Sequence, residues 1–385
     1  MKIAFVSQYN PTESLGGGIL RATLSKVEGL AELGHNVTLF CLGDENKIYQ
    51  TQGGYTTVEV KSWTLIRDKQ TNKALLDRFM NQGFQTRSFL TKSLKQINPD
   101  VFITTTEGSI GKIALNYSKK NSKKIFFYPH VILSKIEEFV PKENIVGRLL
   151  SKYQLVPSVI RFINKSSGVI AINKASETDL KKMGVKVPIK IVPNSIDYEL
   201  FSEKPKFLLN NPVLTYIGLI SERKNQKYLL KVLENLPKAT KLVLIGSDFD
   251  ASYAKEVREY INAQKLDVEI ISKASQSVIS EVLSKSNVFV SASLLEVQSL
   301  SVLEAIASGT PVVMLENETV QDFENITGVN ILNQNADTKD FSKEVSSYLE
   351  MNLDEYLQIS LSLKVFAKRF SKLETANTLV QALGD

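Results

Sequence analysis

The sequence has a single cysteine, Cys41, in 385 residues. A disulfide framework within the chain is therefore impossible, and so is a thiolate metal cluster. Cys41 sits in the apolar run Val37–Leu42 and is expected to be a buried strand residue. Histidine is nearly as scarce: His35 and His130 are the only two, and no convincing ligand cluster for zinc, calcium or magnesium stands out, so no essential metal and no cofactor are expected. No apolar stretch is long enough to span a bilayer. The opening Met1–Gln8 stays apolar for four residues only, which reads as a first strand rather than a secretory segment and leads to the expectation of a cytoplasmic protein. No repeat with a period of about 20–50 residues and no low-complexity tract is present, so solenoids and propellers are excluded.

What is there is globular in composition, with 43% hydrophobic and 23% charged residues, which excludes long disorder and a membrane bundle. The length exceeds one ordinary core and suits two domains of about 150–200 residues. The net charge of +6 hides a division: residues 1–195 carry 28 Lys and Arg against 15 Asp and Glu, while residues 196–385 carry 19 against 26. The first half is thus expected to meet something anionic, a phospholipid surface, an anionic glycolipid or nucleic acid. No recognised nucleic-acid module accompanies it, and no nucleic-acid partner is expected.

Short runs rich in Val, Ile and Phe alternate with longer amphipathic segments. Strands are expected at Lys2–Ser7, Asn36–Cys41, Thr57–Val60, Val101–Thr104, Lys124–Tyr128, Gly168–Ile172 and Lys190–Val192. A second series follows at Pro212–Ile217, Lys241–Ile245, Val268–Ile271, Val288–Ser291, Pro311–Met314 and Gly328–Ile331. Each run is short enough for a strand buried on both faces, and each interval is long enough for a crossover helix. The expected fold class is α/β, two Rossmann-like domains with parallel sheets that bind ligands at the carboxyl ends of their strands. Pro193, Pro205, Pro212 and Asn210-Asn211 mark a linker, giving domains 1–195 and 196–365. Residues 366–385 are expected to form a terminal helix that packs back on the first domain.

The first βα turn reaches Gly16-Gly17-Gly18 before a helix beginning near Ile19. Three glycines let the backbone approach an anion at a helix N-terminus, and they equally suit a turn without ligand. The turn does not spell G-x-G-x-x-G, which disfavours a nicotinamide site. A richer stretch runs from Ser291 to Pro311. A strand ending at Ser291 leads to a loop bearing Glu296, and a helix follows with Ser299 as expected cap and Gly309 as terminator. Amides near Ser299, Leu300 and Ser301 would take a diphosphate, and Glu296 and Glu304 would accept bonds from hydroxyls on either side. A sugar nucleotide has that layout.

These residues resemble the paired-glutamate signature of retaining glycosyltransferases of the GT-B fold, particularly glycosyltransferase family 4. The resemblance runs in order through Leu33-Gly34-His35-Asn36-Val37-Thr38, Val192-Pro193-Asn194-Ser195-Ile196-Asp197, Tyr216-Ile217-Gly218 with Lys224-Asn225, Leu244-Ile245-Gly246 and the glutamate pair. It implies a GT-B fold with two sheets facing a cleft, the first domain taking the acceptor and the second the donor. It implies Glu296 at the donor sugar, Glu304 at the nucleotide ribose and Lys224 at the departing diphosphate, with Asn194 and Gly218 among the binding residues. His130 ends Phe126-Phe127-Tyr128-Pro129-His130 at a strand's carboxyl end and resembles the family's histidine near the donor sugar; a core histidine is the other reading. Two departures stand out. Leu219 follows Gly218 where the family has arginine, so Arg223 is expected to reach round the loop as the missing phosphate cation. Val297-Gln298-Ser299 replaces Gly-Phe-Gly, so Gln298 is expected to bond sugar hydroxyls.

Asp248-Phe249-Asp250 spells an Asp-x-Asp metal pattern but falls in the second half, and it reads as a solvated loop. Lys61–Lys95 is basic, and in Pro141–Lys165 the residues Ile145, Val146, Leu149, Leu150 and Tyr153 recur at helical spacing beside Arg148 and Lys152. Such a helix lies on an anionic membrane or packs on a sheet as an ordinary domain helix. The expected function is a metal-independent, retaining hexosyltransferase working from a nucleotide diphosphate sugar on a hydroxyl of a glycan, lipid-linked or phosphate-bearing acceptor, in the cytoplasm or peripherally on the inner face of the membrane. The alternatives are a nucleotide-sugar epimerase of the same fold and a non-catalytic two-domain binding protein.

Overall fold

A computed structural model describes residues 1–11, 17–61, 84–140, 144–203 and 211–384. The chain forms two compact units, one made of Met1–Ser195 with Lys372–Asp385 and the other of Ile196–Ser371.

The sheet of the first unit contains β1 (Lys2–Val6), β2 (Asn36–Gly43), β3 (Lys47–Gln50), β4 (Thr56–Lys61), β5 (Val101–Thr104), β6 (Lys124–Phe127), β7 (Gly168–Ala171) and β8 (Ile189–Ile191). Their order is β3-β4-β2-β1-β5-β6-β7-β8. All neighbours pair in parallel except β3 with β4. The central strands are buried along nearly their whole length, as continuous Val, Ile and Phe runs require when helices cover both faces. The strand β3 was not expected. Its sequence Lys-Ile-Tyr-Gln has no apolar run because it is an exposed antiparallel edge, and a short charged edge strand discourages pairing with other chains. The order reverses between β1 and β5, which makes their carboxyl ends a switch point. Cys41 lies buried in β2.

The terminal helix Lys372–Gly384 packs on the first helix, Gly17–Glu32. The approach is close at Gly29, where a Cβ would lie 2.5 Å from the Lys372 carbonyl oxygen. Lys372 also pairs with Glu28 at 3.0 Å. The chain re-enters the first unit at Lys372, later than residue 366, because Phe366, Ala367 and Phe370 remain in the apolar core of the second unit.

The amphipathic segment of the first unit divides in two. Helix Val156–Ile163 buries Val156, Val159, Phe162 and Ile163 in the core. The preceding helix Ile145–Leu150 and the wide turn Ser151–Leu155 bury nothing and leave Ile145, Val146, Leu149, Leu150 and Tyr153 exposed. Of the basic stretch Lys61–Lys95, residues 62–83 lie outside the described residues, as do 141–143 and the linker residues 204–210.

The second unit holds β9 (Val213–Ile217), β10 (Lys241–Ile245), β11 (Val268–Ile271), β12 (Val288–Ser291), β13 (Val312–Leu315) and β14 (Val329–Leu332) in the order β11-β10-β9-β12-β13-β14, all parallel. Two apolar clusters cover its faces, one around Leu214, Leu230 and Phe341 and the other around Phe289, Leu303 and Phe323. Its order reverses between β9 and β12, so the loops after these two strands meet at the carboxyl edge of the sheet.

Candidate active site

The turn after β9 begins at Gly218, whose amide donates to the Ile245 carbonyl at 2.9 Å. A Cβ on Gly218 would lie 2.6 Å from the Tyr216 hydroxyl, and one on Gly246 would overlap the Gly218 carbonyl, so Gly246 is what lets the two turns pass each other. Residues Glu222–Lys224 then make one tight helical turn, closed by Asn225 in the left-handed region at φ 54°. The loop after β12 lies against it. Leu294 N donates to the Arg223 carbonyl at 2.9 Å, and Arg223 Nη1 donates to the Leu295 carbonyl at 2.7 Å. These two bonds fix Lys224 and Glu296 side by side.

Lys224 Nζ donates to Glu296 Oε1 in an ion pair whose side chains are only 12% and 13% exposed. Burial alone would push the Glu296 carboxyl up, but the charges of Lys224 and Arg223 and hydrogen bonds from Lys224 and Ser293 outweigh it, and the group sits below the usual carboxylate range. Burial lowers Lys224 more than Glu296 raises it. The Glu296 amide donates to Glu318 Oε2 at 3.3 Å.

Ser299 caps helix Leu300–Ala307 as expected, accepting from Val302 N at 3.4 Å, and its hydroxyl is 3.0 Å from that of Ser301. The first intrahelical acceptor bond runs from Leu303 N to Ser299 O, so the amides of Leu300 and Ser301 belong to the positive end of the helix. Gln298 is buried, and its Nε2 donates to Asp322 Oδ2 at 3.3 Å. Glu304 is fully buried on the helix, with Oε1 3.5 Å from Gln276 Nε2. Leu219 is exposed, and its carbonyl accepts from Gln226 Nε2 at 2.8 Å. Asp248 pairs with Arg258 at 2.9 Å and Asp250 caps helix Ala251–Gln264, so the Asp-x-Asp residues serve the loop itself.

In the first unit Gly16 lies outside the described residues, while Gly17 and Gly18 open the first helix, two residues before its expected start. His130 follows β6, with its ring 4.6 Å from that of Tyr128. The Tyr128 hydroxyl donates to Asn194 Oδ1 and the Val192 carbonyl, both at 3.3 Å, which ties the buried Asn194 to the same layer. His130 Nε2 is enclosed and has no hydrogen-bond partner among the described residues. Burial first, and the charge of Lys26 second, push the His130 imidazole down to about 3, so it is neutral at physiological pH.

Lys26, Glu318 and Asp322 were missed in the sequence. Lys26 has 0% exposure on the first helix, its Nζ has no hydrogen-bond partner among the described residues, and burial lowers it well below the usual lysine range. A signal existed, since Lys26 stands four residues after Ala22 and three before Gly29 on the helix's packed side. Glu318 and Asp322 gave no signal, because they come from the loop after β13 and the short helix Val320–Phe323 that follows it.

Two family models together match nearly the whole chain: "Glycosyltransferase Family 4" over residues 16–200 and "Glycosyl transferases group 1" over residues 197–360. The Alpha-monoglucosyldiacylglycerol synthase of Streptococcus pneumoniae is 25% identical over 334 residues, which cover 80% of this chain and 69% of that protein. Among solved structures, sucrose-phosphate synthase from Thermosynechococcus elongatus matches with a TM-score of 0.78 at 16% identity, covering 99% of this chain and 98% of that one. Anabaena HepE in complex with UDP-glucose matches with a TM-score of 0.71 at 16% identity, covering 100% and 99%. From the ordered motifs, the two parallel sheets and these matches together, the chain is a family 4 glycosyltransferase with the GT-B fold.

Proposed function

We propose that this glycosyltransferase moves a hexose from a nucleotide diphosphate sugar to a hydroxyl of a lipid-linked acceptor, with retention of configuration. The observation that carries the reading is the buried Lys224–Glu296 ion pair held at the reversal of the second sheet, beside the Ser299-capped helix. A diphosphate at the Leu300 and Ser301 amides would lie near the Lys224 ammonium, and Glu296 offers an acceptor to a sugar hydroxyl. Lys224 and Arg223 supply the positive charge that a departing diphosphate requires, and no metal enters this reading. Glu304 takes the ribose, with the Gln276 contact giving way. The neutral His130 serves as a hydrogen-bond partner of a sugar hydroxyl.

In this reading the bond from the anomeric carbon to the diphosphate breaks as the acceptor oxygen approaches the same face. The electron pair leaves with the diphosphate, which takes the acceptor's proton as the new glycosidic bond forms. Charge grows on the diphosphate in the transition state, where Lys224 lowers the barrier. UDP-glucose in the Anabaena structure supports a uridine donor.

The Streptococcus relative is named for a diacylglycerol lipid, and this supports a lipid acceptor. So does the surface at Ile145–Tyr153. From Asn144 to Lys165 the chain carries Arg148, Lys152, Arg161 and Lys165 with no Asp or Glu, alongside five exposed apolar side chains, with Lys152 paired to Glu137 at 3.2 Å. An anionic membrane attracts such a segment, and the inner face of the cytoplasmic membrane is the place proposed. The test is incubation with UDP, GDP and ADP sugars and diacylglycerol. A donor-dependent glycolipid supports transfer, free isomerised donor would make the chain an epimerase, and unchanged ligand would make it a binding protein.

A further inference from the structure

Helix Leu353–Ala367 has two apolar faces. One, formed by Tyr356, Ser360, Leu363 and Ala367, is buried in the second unit. The other is a row of Leu353, Leu357, Leu361 and Val365, exposed to 57%, 43%, 64% and 67%. These four recur every fourth residue, so they form a ridge about 18 Å long, turned about 110° from the buried face. A surface helix that already has a core face is normally polar elsewhere, and a contiguous apolar row marks an interaction surface.

The charges beside the row say what covers it. Asp354 and Glu355 stand at its amino end, and Lys364, Lys368 and Arg369 at its carboxyl end. Each sign suits the helix dipole at that end. A two-fold axis at Ile359 sets Leu353 against Val365 and Leu357 against Leu361 of the partner subunit. The same operation brings Asp354 toward the partner's Lys368, which is exposed, while Lys364 Nζ is taken up by the Ser202 carbonyl at 2.7 Å. Apolar row and charge are thus both self-complementary, as an isologous contact requires. An anionic lipid surface would be repelled by the acidic end, in contrast to the acid-free Asn144–Lys165 segment.

We propose that this ridge is the contact between two copies of the chain, paired antiparallel along helix Leu353–Ala367. Sedimentation equilibrium of the full chain tests it. The wild type sediments as a dimer. Leu361→Glu raises the dimer dissociation constant about tenfold or more with an unchanged circular dichroism spectrum. Asp354→Lys and Lys368→Glu each weaken the dimer, and the two combined restore it, since the swapped ends again meet opposite charges. The swap keeps the test valid even if Leu361→Glu fails to fold. A monomeric mass throughout, or a dimer indifferent to these changes, overturns the proposal. So does a monomer in which Leu361→Glu abolishes binding to anionic phosphatidylglycerol vesicles, which would assign the ridge to lipid.

Discussion

Lys224 and Glu296 lie 72 residues apart in sequence and form an ion pair in the structure, because the strands that precede them, β9 and β12, are neighbours at the reversal of the second sheet. Arg223 holds the two loops together through the Leu295 carbonyl, so the pair is a product of the sheet topology and not of local sequence.

Breaking one half of this pair leaves the other charge poorly solvated. Lys224→Met and Glu296→Gln should each lower unfolding free energy by about 1–3 kcal/mol, and the double variant should recover most of that loss. Transfer should fall by about two to three orders of magnitude in all three, with no recovery in the double variant. Urea unfolding and initial rates on the same preparations separate the two effects. Because the Glu296 carboxyl is held low in the folded chain, its share of stability is present above about pH 4.3 and is lost as pH falls through its folded value.

Lys26 makes the opposite prediction. Its folded value lies well below that of the unfolded chain, so the unfolded chain binds more protons and stability rises with pH until about 10.4. Lys26→Met should raise the melting temperature at pH 7 by a few degrees, corresponding to about 1–3 kcal/mol, and should flatten the rise between pH 7 and pH 10. Differential scanning calorimetry of the two proteins across that range measures both. A Lys26→Met protein less stable than wild type at pH 7 would show that the buried ammonium has a stabilising partner.

With two histidines in the chain, ring NMR gives two assignable sets of signals. The His130 set should not titrate between pH 5 and pH 8, since its folded value is about 3. The unfolded chain then takes up a proton at about pH 6.5 that the folded chain refuses, so stability should fall as pH drops from there toward 3, and less steeply in His130→Asn.

The exposed segment before helix Val156–Ile163 should govern membrane contact alone. Val146→Asp with Leu149→Asp should remove binding to vesicles containing phosphatidylglycerol while leaving the melting temperature within about 1 °C, because neither side chain is buried. Retention of full vesicle binding would dissociate this surface from the lipid.

Much of the fold was legible because parallel strands buried on both faces leave continuous apolar runs, and thirteen of the fourteen strands among the described residues coincide with such runs. The exception, β3, is an edge strand with no buried face to write into the sequence. In the site, Ser299 was readable as a cap from local chemistry, and the contact of Lys224 with Glu296 was not, since spacing does not reveal which strands are neighbours. The contact of Gln298 with Asp322 was not legible either, because Asp322 arrives from the separate helix Val320–Phe323. Lys26 went unremarked because a lysine on a first helix is ordinarily solvated.

The most direct measurement is proton NMR of the purified chain with UDP-glucose and diacylglycerol, run beside Lys224→Met. The reading predicts a new lipid glycoside whose anomeric configuration matches the donor, formed by the wild type and reduced about a hundredfold or more in the variant. An inverted product, or equal rates in the two proteins, would contradict it.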